Sequence, residues 1–521
     1  MGMELTNKPV LVVGAGIMGA GIAQVAAQAG HSVMLFDTRE GAAAEATAKL
    51  ASSLNALVAK GKLTVDAVAQ TLSRIRAIAT LQEAASAVLV VEAIVEKLDA
   101  KRALFQQLEG IVDADCILAT NTSSISVTAI ANGLQRPQRL VGMHFFNPVP
   151  LMKLVEVVSG LQTDAAVAQD IFELSAQWGK VPVHARSTPG FIVNRIARPY
   201  YAETLALLQE QAATPAVLDA CLRAAGFRMG PCELMDLIGH DTNFSVTQSV
   251  FEANFYDKRY VPSLVQREMV DGGLLGRKTG RGFYSYAADA PTAQAPAPLA
   301  STTTGLPAGG RVCVHGSGAV AQYLMAALQE AIQRAAPAGP TVPSVLGRSD
   351  SDWVGLEVDG CQLRLTDGRC ATQLGANVAV FDLPLQGKAS TVGAAGAALA
   401  WAPSAHADAA WIAQAAQWLQ LLGFAPQRVA DTPGLAVART VAMLINEGSD
   451  AVHQGVCSEA GANDAMKLGV NYPAGPFDWL ALWGAKPVCS VLEALDHHYR
   501  GERYRISPLL RQRASYPTTS A

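Results

Sequence analysis

Long hydrophobic runs are missing from this 521-residue sequence. No stretch reaches the roughly 20 apolar residues of a membrane-spanning helix, so no such span is expected. The N-terminus lacks the charged-then-apolar pattern of a secretory signal. Cysteine is sparse. Its eight copies, Cys116, Cys221, Cys232, Cys313, Cys361, Cys370, Cys457 and Cys489, form no CxxC pair and no Cys/His cluster with zinc spacing. No metal site is expected, and reduced, mostly buried thiols in a cytoplasmic protein are. Charge is also scarce, at 16 % of residues with a net −4. No global positive field exists to draw nucleic acid or anionic lipid, so an anionic ligand needs a local site. Half the residues are hydrophobic, which is the profile of a compact soluble enzyme and not of a disordered chain.

The length allows about three or four domains. Residues 8–14 read KPVLVVG, a continuous apolar run ending in glycine, as a buried parallel strand does. Ala15 to Gly30 reads as a helix closing on glycine, and HSVMLFD (31–37) as a second strand. VLVVEA (88–93) and CILATN (116–121) continue the alternation. This βαβ series predicts an α/β fold with a doubly wound parallel sheet. After about residue 187 helical patterns dominate to about 286. Residues 287–310 are rich in Ala, Pro, Thr and Gly without apolar periodicity, which reads as a linker.

Beyond the linker the chain repeats itself. Pro189, Gly190, Arg195 and Glu203 recur as Pro433, Gly434, Arg439 and Glu447, at a constant offset of 244. With one residue inserted, Gly230-Pro231 and Gly239 recur as Gly475-Pro476 and Gly484. A duplicated helical domain is the reading. RVCVHGSGAVA (311–321) looks like a second strand-glycine-helix start. The space from there to 430 is shorter than the first nucleotide domain, so any copy there is reduced. The expected domains are therefore a Rossmann-type domain at 1–187, a helical domain at 188–286, the linker at 287–310, a reduced Rossmann-like segment at 311–430 and a second helical domain at 431–521.

Gly14, Gly16, Ile17, Met18 and Gly19 form a GxGxxG turn that follows a strand and opens a helix. Gly14 permits the tight turn, Gly16 lets the backbone approach a pyrophosphate, and Gly19 allows close helix–strand packing. The helix N-terminus offers unpaired N–H groups to phosphate. Asp37 ends the second strand, where a carboxylate accepts a ribose 2′-hydroxyl and repels a 2′-phosphate. NAD is thus expected as cofactor, with Arg39 the one feature favouring NADP. His144 sits in GMHFFNPVPLMKLVEVV, and Glu156 follows twelve residues later. Contact between them needs the chain to fold back, for which Pro148 and Pro150 provide a bend. A carboxylate that fixes an imidazole tautomer and favours its protonated form is a known catalytic device. From spacing alone, a structural histidine and a solvated glutamate are the simpler reading. Asn121-Thr-Ser-Ser124 follows the strand CILAT. It reads either as the lining of a ligand crevice or as a helix N-cap.

Together these pieces resemble the 3-hydroxyacyl-CoA dehydrogenase family. The resemblance is carried by GAGIMGAGIAQVAAQAGHSVMLFD (14–37), VVEAIVEKLDAK (90–101), TNTSSI (120–125), MHFFNPVPLMKLVEV (143–157) and TPGFIVNR (188–195). It is collinear over about residues 8–285. It implies that His144 is the catalytic base and Glu156 its partner, and that Ser123 and Asn194 hydrogen-bond the reacting oxygen. It implies that Asp37, Glu96, Lys101 and Asn121 line the NAD site, and that Ser53 and Lys60 contact CoA. Lys60 also makes sense directly, as a helix-borne cation able to meet a phosphate. Longer family members carry a reduced nucleotide-binding-like segment and a second helical domain, as here. The activity implied is NAD-dependent oxidation of a (3S)-3-hydroxyacyl-CoA to the 3-oxoacyl-CoA in fatty-acid or aromatic degradation. The overall arrangement points to 3-hydroxyadipyl-CoA or 3-hydroxybutyryl-CoA. Short members dimerise through the helical domain, so an internal pseudo-dimer of the two copies is expected, with further homo-oligomers open.

Two rivals remain. One is a same-fold β-hydroxyacid dehydrogenase acting on a free acid, which uses a lysine where this chain has the His–Glu pair. The other is a non-catalytic, crystallin-like NAD-binding protein, against which His144, Glu156 and Asn194 all stand.

Overall fold

The computed structural model describes Leu5 and residues 7–287, 311–335, 344–385 and 396–516. Of the linker expected at 287–310, only Ala287 lies among the described residues. The chain divides into two compact units, Met1–Arg195 with Gln454–Val470, and Ile196–His453 with Asn471–Ala521.

The first unit is built on one eight-stranded sheet. Its strands are β1 (Val10–Val13), β2 (Val33–Phe36), β3 (Ile75–Ala77), β4 (Leu89–Glu92), β5 (Ile117–Thr120), β6 (Leu140–Phe145), β7 (Leu154–Ser159) and β8 (Val181–Arg186). Their order is β3-β2-β1-β4-β5-β6-β7-β8. The VLVV of β1 is wholly buried, as expected of a strand covered on both faces. The helix Ile17–Gln28 buries Ile22, Ala23 and Ala26 in the same core. Strand order reverses at β1, which has β2 on one side and β4 on the other, both parallel to it. Ligand crevices in such sheets open at this point, beyond the carboxyl ends of the strands. The sheet departs from all-parallel in one place. Strand β7 runs antiparallel to β6, because the Pro-rich segment after Phe145 turns the chain straight back. That reversal sets His144 directly opposite Glu156.

The same unit includes a piece of the C-terminal repeat. The helix Glu459–Gly469, capped by the Ser458 hydroxyl accepting from the Gly461 N–H, packs against β7 and β8.

The second unit holds a seven-stranded sheet made of β9 (Arg311–His315), β10 (Ser344–Arg348), β11 (Gly355–Val358), β12 (Cys361–Leu365), β13 (Val378–Phe381), β14 (Ala397–Pro403) and β15 (Phe424–Arg428). The order is β10-β9-β11-β12-β13-β14-β15. The reduction has a local cause. Strand β11 lies beside β9 but antiparallel to it, and joins β12 through Asp359-Gly360 at φ 48° and 86°. Two residues with positive φ make a tight hairpin, which replaces a helical crossover. Three tryptophans, Trp401, Trp411 and Trp418, fill the core beneath this sheet.

The two helical copies meet inside this second unit. The helix Arg198–Gln209 packs on the helix Val437–His453. Their polar contacts are reciprocal. Glu203 accepts from Arg503 (2.8 Å) and from the Tyr504 hydroxyl (3.0 Å). Glu447 accepts from Arg259 (3.2 Å) and from the Tyr260 hydroxyl (2.7 Å). Glu447, Arg503 and Tyr504 each lie 244 residues beyond Glu203, Arg259 and Tyr260. A patch on each copy thus meets the matching patch on the other, as at a two-fold interface.

Glu203 is fully buried and also accepts from Arg439 at 2.6 Å. Burial alone would raise its pKa, but Arg503 and Arg439 outweigh it and hold the carboxyl below its ordinary range. A depressed carboxyl pKa stabilises the fold above the unfolded value, and that contribution is lost as pH falls through the folded one. Arg439→Met is therefore expected to destabilise the protein by about 3–5 kcal/mol at pH 7, the range for breaking a buried pair. Urea unfolding of both proteins at pH 7 and below pH 4 checks this. The difference should shrink in acid, and equal midpoints at pH 7 would contradict the assignment.

Candidate active site

The glycine turn leaves room for a dinucleotide. Gly14 has φ 103°, and a Cβ there would sit 2.4 Å from the Ala93 carbonyl oxygen. A Cβ on Gly19 would fall 1.8 Å from the Gly14 carbonyl oxygen, so the helix packs on its own turn only as glycine. A Cβ on Gly16 would meet nothing within 4 Å. That is the open face where a pyrophosphate can approach the backbone. Ile17 beside it is largely exposed, and Met18 is half-buried. Asp37 accepts from the Ala15 N–H at 2.7 Å and from the Arg39 N–H at 2.9 Å, which fixes its carboxylate at the turn. The Arg39 guanidinium is turned to Glu45 through two hydrogen bonds, of 2.7 and 3.1 Å.

Next to the turn lies a charged cluster. Lys101 is buried, and its ammonium sits 2.6 Å from Glu92 and 3.2 Å from Glu96. Of this pair, Glu96 is the side chain that reaches the surface. Glu92, which the sequence reading passed over, also accepts from the Thr120 hydroxyl (2.7 Å) and the Ile94 N–H (2.8 Å). Glu96 gathers the loop after β5. One of its oxygens accepts from the Thr122 hydroxyl at 2.7 Å and from the Ser123 N–H at 2.8 Å. Burial pushes the Glu96 pKa up, and Lys101 with these hydrogen bonds brings it below its ordinary value. The segment Asn121–Ser124 is not itself a cap. Ser126 is the cap, for the short helix Val127–Ala131. Asn121 points its amide oxygen at the Phe145 N–H (2.8 Å), which ties β5 to β6 one residue beyond His144.

His144 Nδ1 lies 2.6 Å from Glu156 Oε2, and both residues are buried. An ionised carboxylate can only accept, so Nδ1 carries the proton and Nε2 is the free base. The other Glu156 oxygen accepts the backbone N–H groups of Ile192 (3.0 Å) and Val193 (2.9 Å). One carboxylate therefore fixes the imidazole and the TPGFIVNR turn together. Asn194, next along, donates its amide to the Ser123 carbonyl at 3.3 Å. The rings of Phe146 and Phe191 pack on the imidazole, at 4.5 and 5.8 Å between centroids. Neither phenylalanine was singled out from sequence. The structure so brings together His144, Glu156, Asn194 and Ser123. Ser53 and Lys60 lie apart from this group along the sequence of elements, exposed on the helix Ala42–Ala59 and at its C-terminal cap.

The second copy lacks the pair. Ala400 stands opposite Gln427 in β14–β15 as Glu156 stands opposite Val183 in β7–β8, and Gln427 lies 244 residues beyond Val183. The Asp382 N–H donates to the Ala400 carbonyl at 2.9 Å, so Asp382 holds the place of His144. Asp382 accepts the N–H groups of Ala436, Val437 and Ala438 at 2.7–2.9 Å, the docking task that Glu156 performs in the first copy. Burial raises its pKa to about 6 against the pull of these donors. A cavity of about 380 Å³ opens next to Asp382, lined by Leu383, Gly318, Trp353, Thr366, Trp483 and Lys486 among others, and no histidine is in its lining among the described residues.

Family models bear on this geometry. The NAD-binding domain of 3-hydroxyacyl-CoA dehydrogenase matches residues 9–188, and the C-terminal domain of the same family matches twice, at 190–286 and 434–520. The chain belongs to the 3-hydroxyacyl-CoA dehydrogenase family. The reduced Rossmann-fold domain of 3-hydroxybutyryl-CoA dehydrogenase matches residues 363–433. The chain is 44 % identical over 517 residues to a 3-hydroxyadipyl-CoA dehydrogenase of Escherichia coli, covering 98 % of both. A crystal structure of 3-hydroxybutyryl-CoA dehydrogenase from E. coli superposes with a TM-score of 0.85 at 42 % identity, again over 98 % of each chain. The pig mitochondrial hydroxyacyl-coenzyme A dehydrogenase is 41 % identical over 293 residues, 54 % of this chain and 92 % of its own. This dehydrogenase is an NAD-dependent oxidoreductase, and the open face at Gly16 with Asp37 beside it fits that cofactor.

The position of Asp37 makes a testable difference between NAD and NADP. The wild type is expected to show a higher kcat/KM with NAD. Asp37→Ala should lower the NAD-to-NADP ratio of kcat/KM by about tenfold or more, equivalent to about 1.4 kcal/mol. Steady-state kinetics with both cofactors decides it, and an unchanged ratio would remove Asp37 from the ribose site.

Proposed function

We propose that this dehydrogenase oxidises the 3-hydroxyl of a (3S)-3-hydroxyacyl-CoA, with 3-hydroxyadipyl-CoA as the preferred substrate and 3-hydroxybutyryl-CoA as the shorter alternative. The observation that carries the chemistry is the 2.6 Å contact between His144 Nδ1 and Glu156. The full-length likeness to a 3-hydroxyadipyl-CoA dehydrogenase supports the substrate. When NAD is bound, its nicotinamide is the acceptor for the hydride that leaves C3. His144 takes the hydroxyl proton at Nε2. Glu156 stabilises the imidazolium so formed through the Nδ1–H. The Asn194 amide and the Ser123 hydroxyl hold the substrate oxygen in place, which keeps C3 in register with the cofactor. Asn121, Glu96 and, through Glu96, Lys101 shape the cofactor side. Ser53 and Lys60 meet the CoA portion, with the Lys60 ammonium on a phosphate. We place the enzyme in the cytoplasm, a reducing compartment in keeping with its eight free thiols.

We propose also that the two helical copies form an internal pseudo-dimer. The reciprocal Glu203–Arg503–Tyr504 and Glu447–Arg259–Tyr260 clusters support it, since a self-complementary patch satisfied within one chain leaves the same pairings as two subunits would.

His144→Gln tests the mechanism in the full chain. It should lower kcat by roughly 10²–10⁴ while NAD binding stays intact. Because Asp382 and Ala400 replace the pair in the second copy, no fraction of wild-type turnover should survive from that half. Retention of even half the rate would refute both points. The substrate reading is checked by kcat/KM for 3-hydroxyadipyl-CoA, 3-hydroxybutyryl-CoA and the corresponding free 3-hydroxy acid. The order expected is adipyl above butyryl, with the free acid inert. A preference for the free acid would favour a different β-hydroxyacid dehydrogenase.

A further inference from the structure

The segment Gln454–Val470 is part of the second, non-catalytic copy by sequence, yet it belongs to the unit that holds His144 and Glu156. It touches that unit at Arg195 and Val193, on either side of Asn194, and at Phe146 and Leu154, near His144 and Glu156 in sequence. Arg195 donates from Nη1 to Gln454 Oε1 at 2.8 Å. Arg195 is nearly buried and directly follows Asn194 on the turn docked by Glu156. The Arg186 N–H donates to the Val456 carbonyl at 2.9 Å, fastening the end of β8. At the far end of the helix, Gly469 lies against the other side of the pair. A Cβ there would be 2.6 Å from Leu154 Cδ2, 3.0 Å from Val193 Cγ2 and 3.7 Å from Phe146 Cε1. Val193 gives its N–H to Glu156, and Phe146 packs on the His144 ring. Between these two points stands Cys457, whose thiol pKa is pushed up to about 12 by burial and then by Glu156, against Arg195.

The repeat accounts for Gln454. Its counterpart 244 residues earlier is Glu210, and the counterpart of Arg195 is Arg439. Arg439 lies 3.6 Å from Glu210. Each copy thus lends an acceptor to the arginine of the other, but the one facing the catalytic copy is a neutral amide. The hydrogen bond needs only an acceptor oxygen, which amide and carboxylate both supply.

We propose that Gln454 and Gly469 are positioning residues for the reaction: the non-catalytic copy holds the Asn194 turn and the His144 ring in their working geometry through these two contacts. The inference rests on the assignment of His144, Glu156 and Asn194 to catalysis. Misplacing a reacting group by about 1 Å can cost on the order of 10²-fold in rate, so even partial release should be visible.

The test uses full-length Gln454→Met, Gln454→Glu, Gly469→Ala and His144→Gln, each measured for kcat, KM for the acyl-CoA, NAD affinity by fluorescence quenching, and Tm. Gln454→Met should lower kcat by about three- to tenfold with NAD affinity and Tm nearly unchanged. Gln454→Glu keeps the acceptor and should restore kcat to within about twofold. Gly469→Ala pushes on Val193 and Leu154 and should lower kcat at least as much, even assayed well below its own Tm. A purely structural segment would change Tm and leave kcat alone, and that pattern in both Gln454→Met and Gly469→Ala overturns the proposal. Loss of turnover in His144→Gln alongside unaffected Gln454 and Gly469 variants defeats this inference but not the mechanism. Retained turnover in His144→Gln defeats the mechanism itself.

Discussion

The Glu156 carboxylate is the constraint on which the rest of the catalytic unit depends. Its two oxygens do different things. One holds the imidazole of His144, and the other takes the N–H groups of Ile192 and Val193. The base and the turn that presents Asn194 are therefore referenced to a single buried group. This works only because β7 runs back along β6, with Glu156 opposite His144 in the pairing register. A shift of one residue in that register would turn one of the two side chains to the other face of the sheet. The reversal of direction between β6 and β7, in a sheet whose other neighbours are parallel, is thus what brings a base and its counter-charge together.

The duplicated half keeps this docking logic without the chemistry. Asp382 reaches the helix N-terminus at 436–438 from the place of His144, and Ala400 fills the place of Glu156. A shorter carboxylate on the neighbouring strand does the structural half of the task once no imidazole needs holding. Meanwhile the reciprocal Glu–Arg–Tyr clusters between the helical copies are retained at both ends. Buried charges that are only half paired cost several kcal/mol, so the two halves of each cluster can be changed only together. That is a physical reason for the copies to stay matched where they pack, while the catalytic positions of the second drift.

Much of this was legible in the sequence for reasons of backbone geometry. The glycine turn at 14–19 and the alternation of apolar strands announced the first sheet, and the 244-residue offset of Pro, Gly, Arg and Glu positions announced the repeat. The pairing of His144 with Glu156 was not derivable from spacing, since twelve residues fit many bends and register is a property of the folded pair. The resemblance of the HFFNP segment carried it instead. Glu92 was readable in principle, as a carboxylate inside an apolar strand, and so was the Asp359-Gly360 hairpin that joins β11 to β12. The arrival of Gln454–Val470 in the catalytic unit left no mark in local pattern, because helix docking across 260 or so residues is decided by which apolar faces remain uncovered.

The central claim is that one carboxylate both orients the base and steadies its charge. Glu156→Gln tests it most directly, because an amide oxygen in the place of Oε1 keeps the two backbone hydrogen bonds, while the charge is lost and an NH2 faces His144 Nδ1 in place of an acceptor. Single-turnover NADH formation with 3-hydroxybutyryl-CoA, followed across pH and together with NAD affinity, is the measurement. The account predicts a fall in the chemical step of roughly 10²-fold or more, within the range attributed to general-base catalysis, with NAD affinity unchanged. A chemical step within a few-fold of the wild type would show that the charge of Glu156 is not needed.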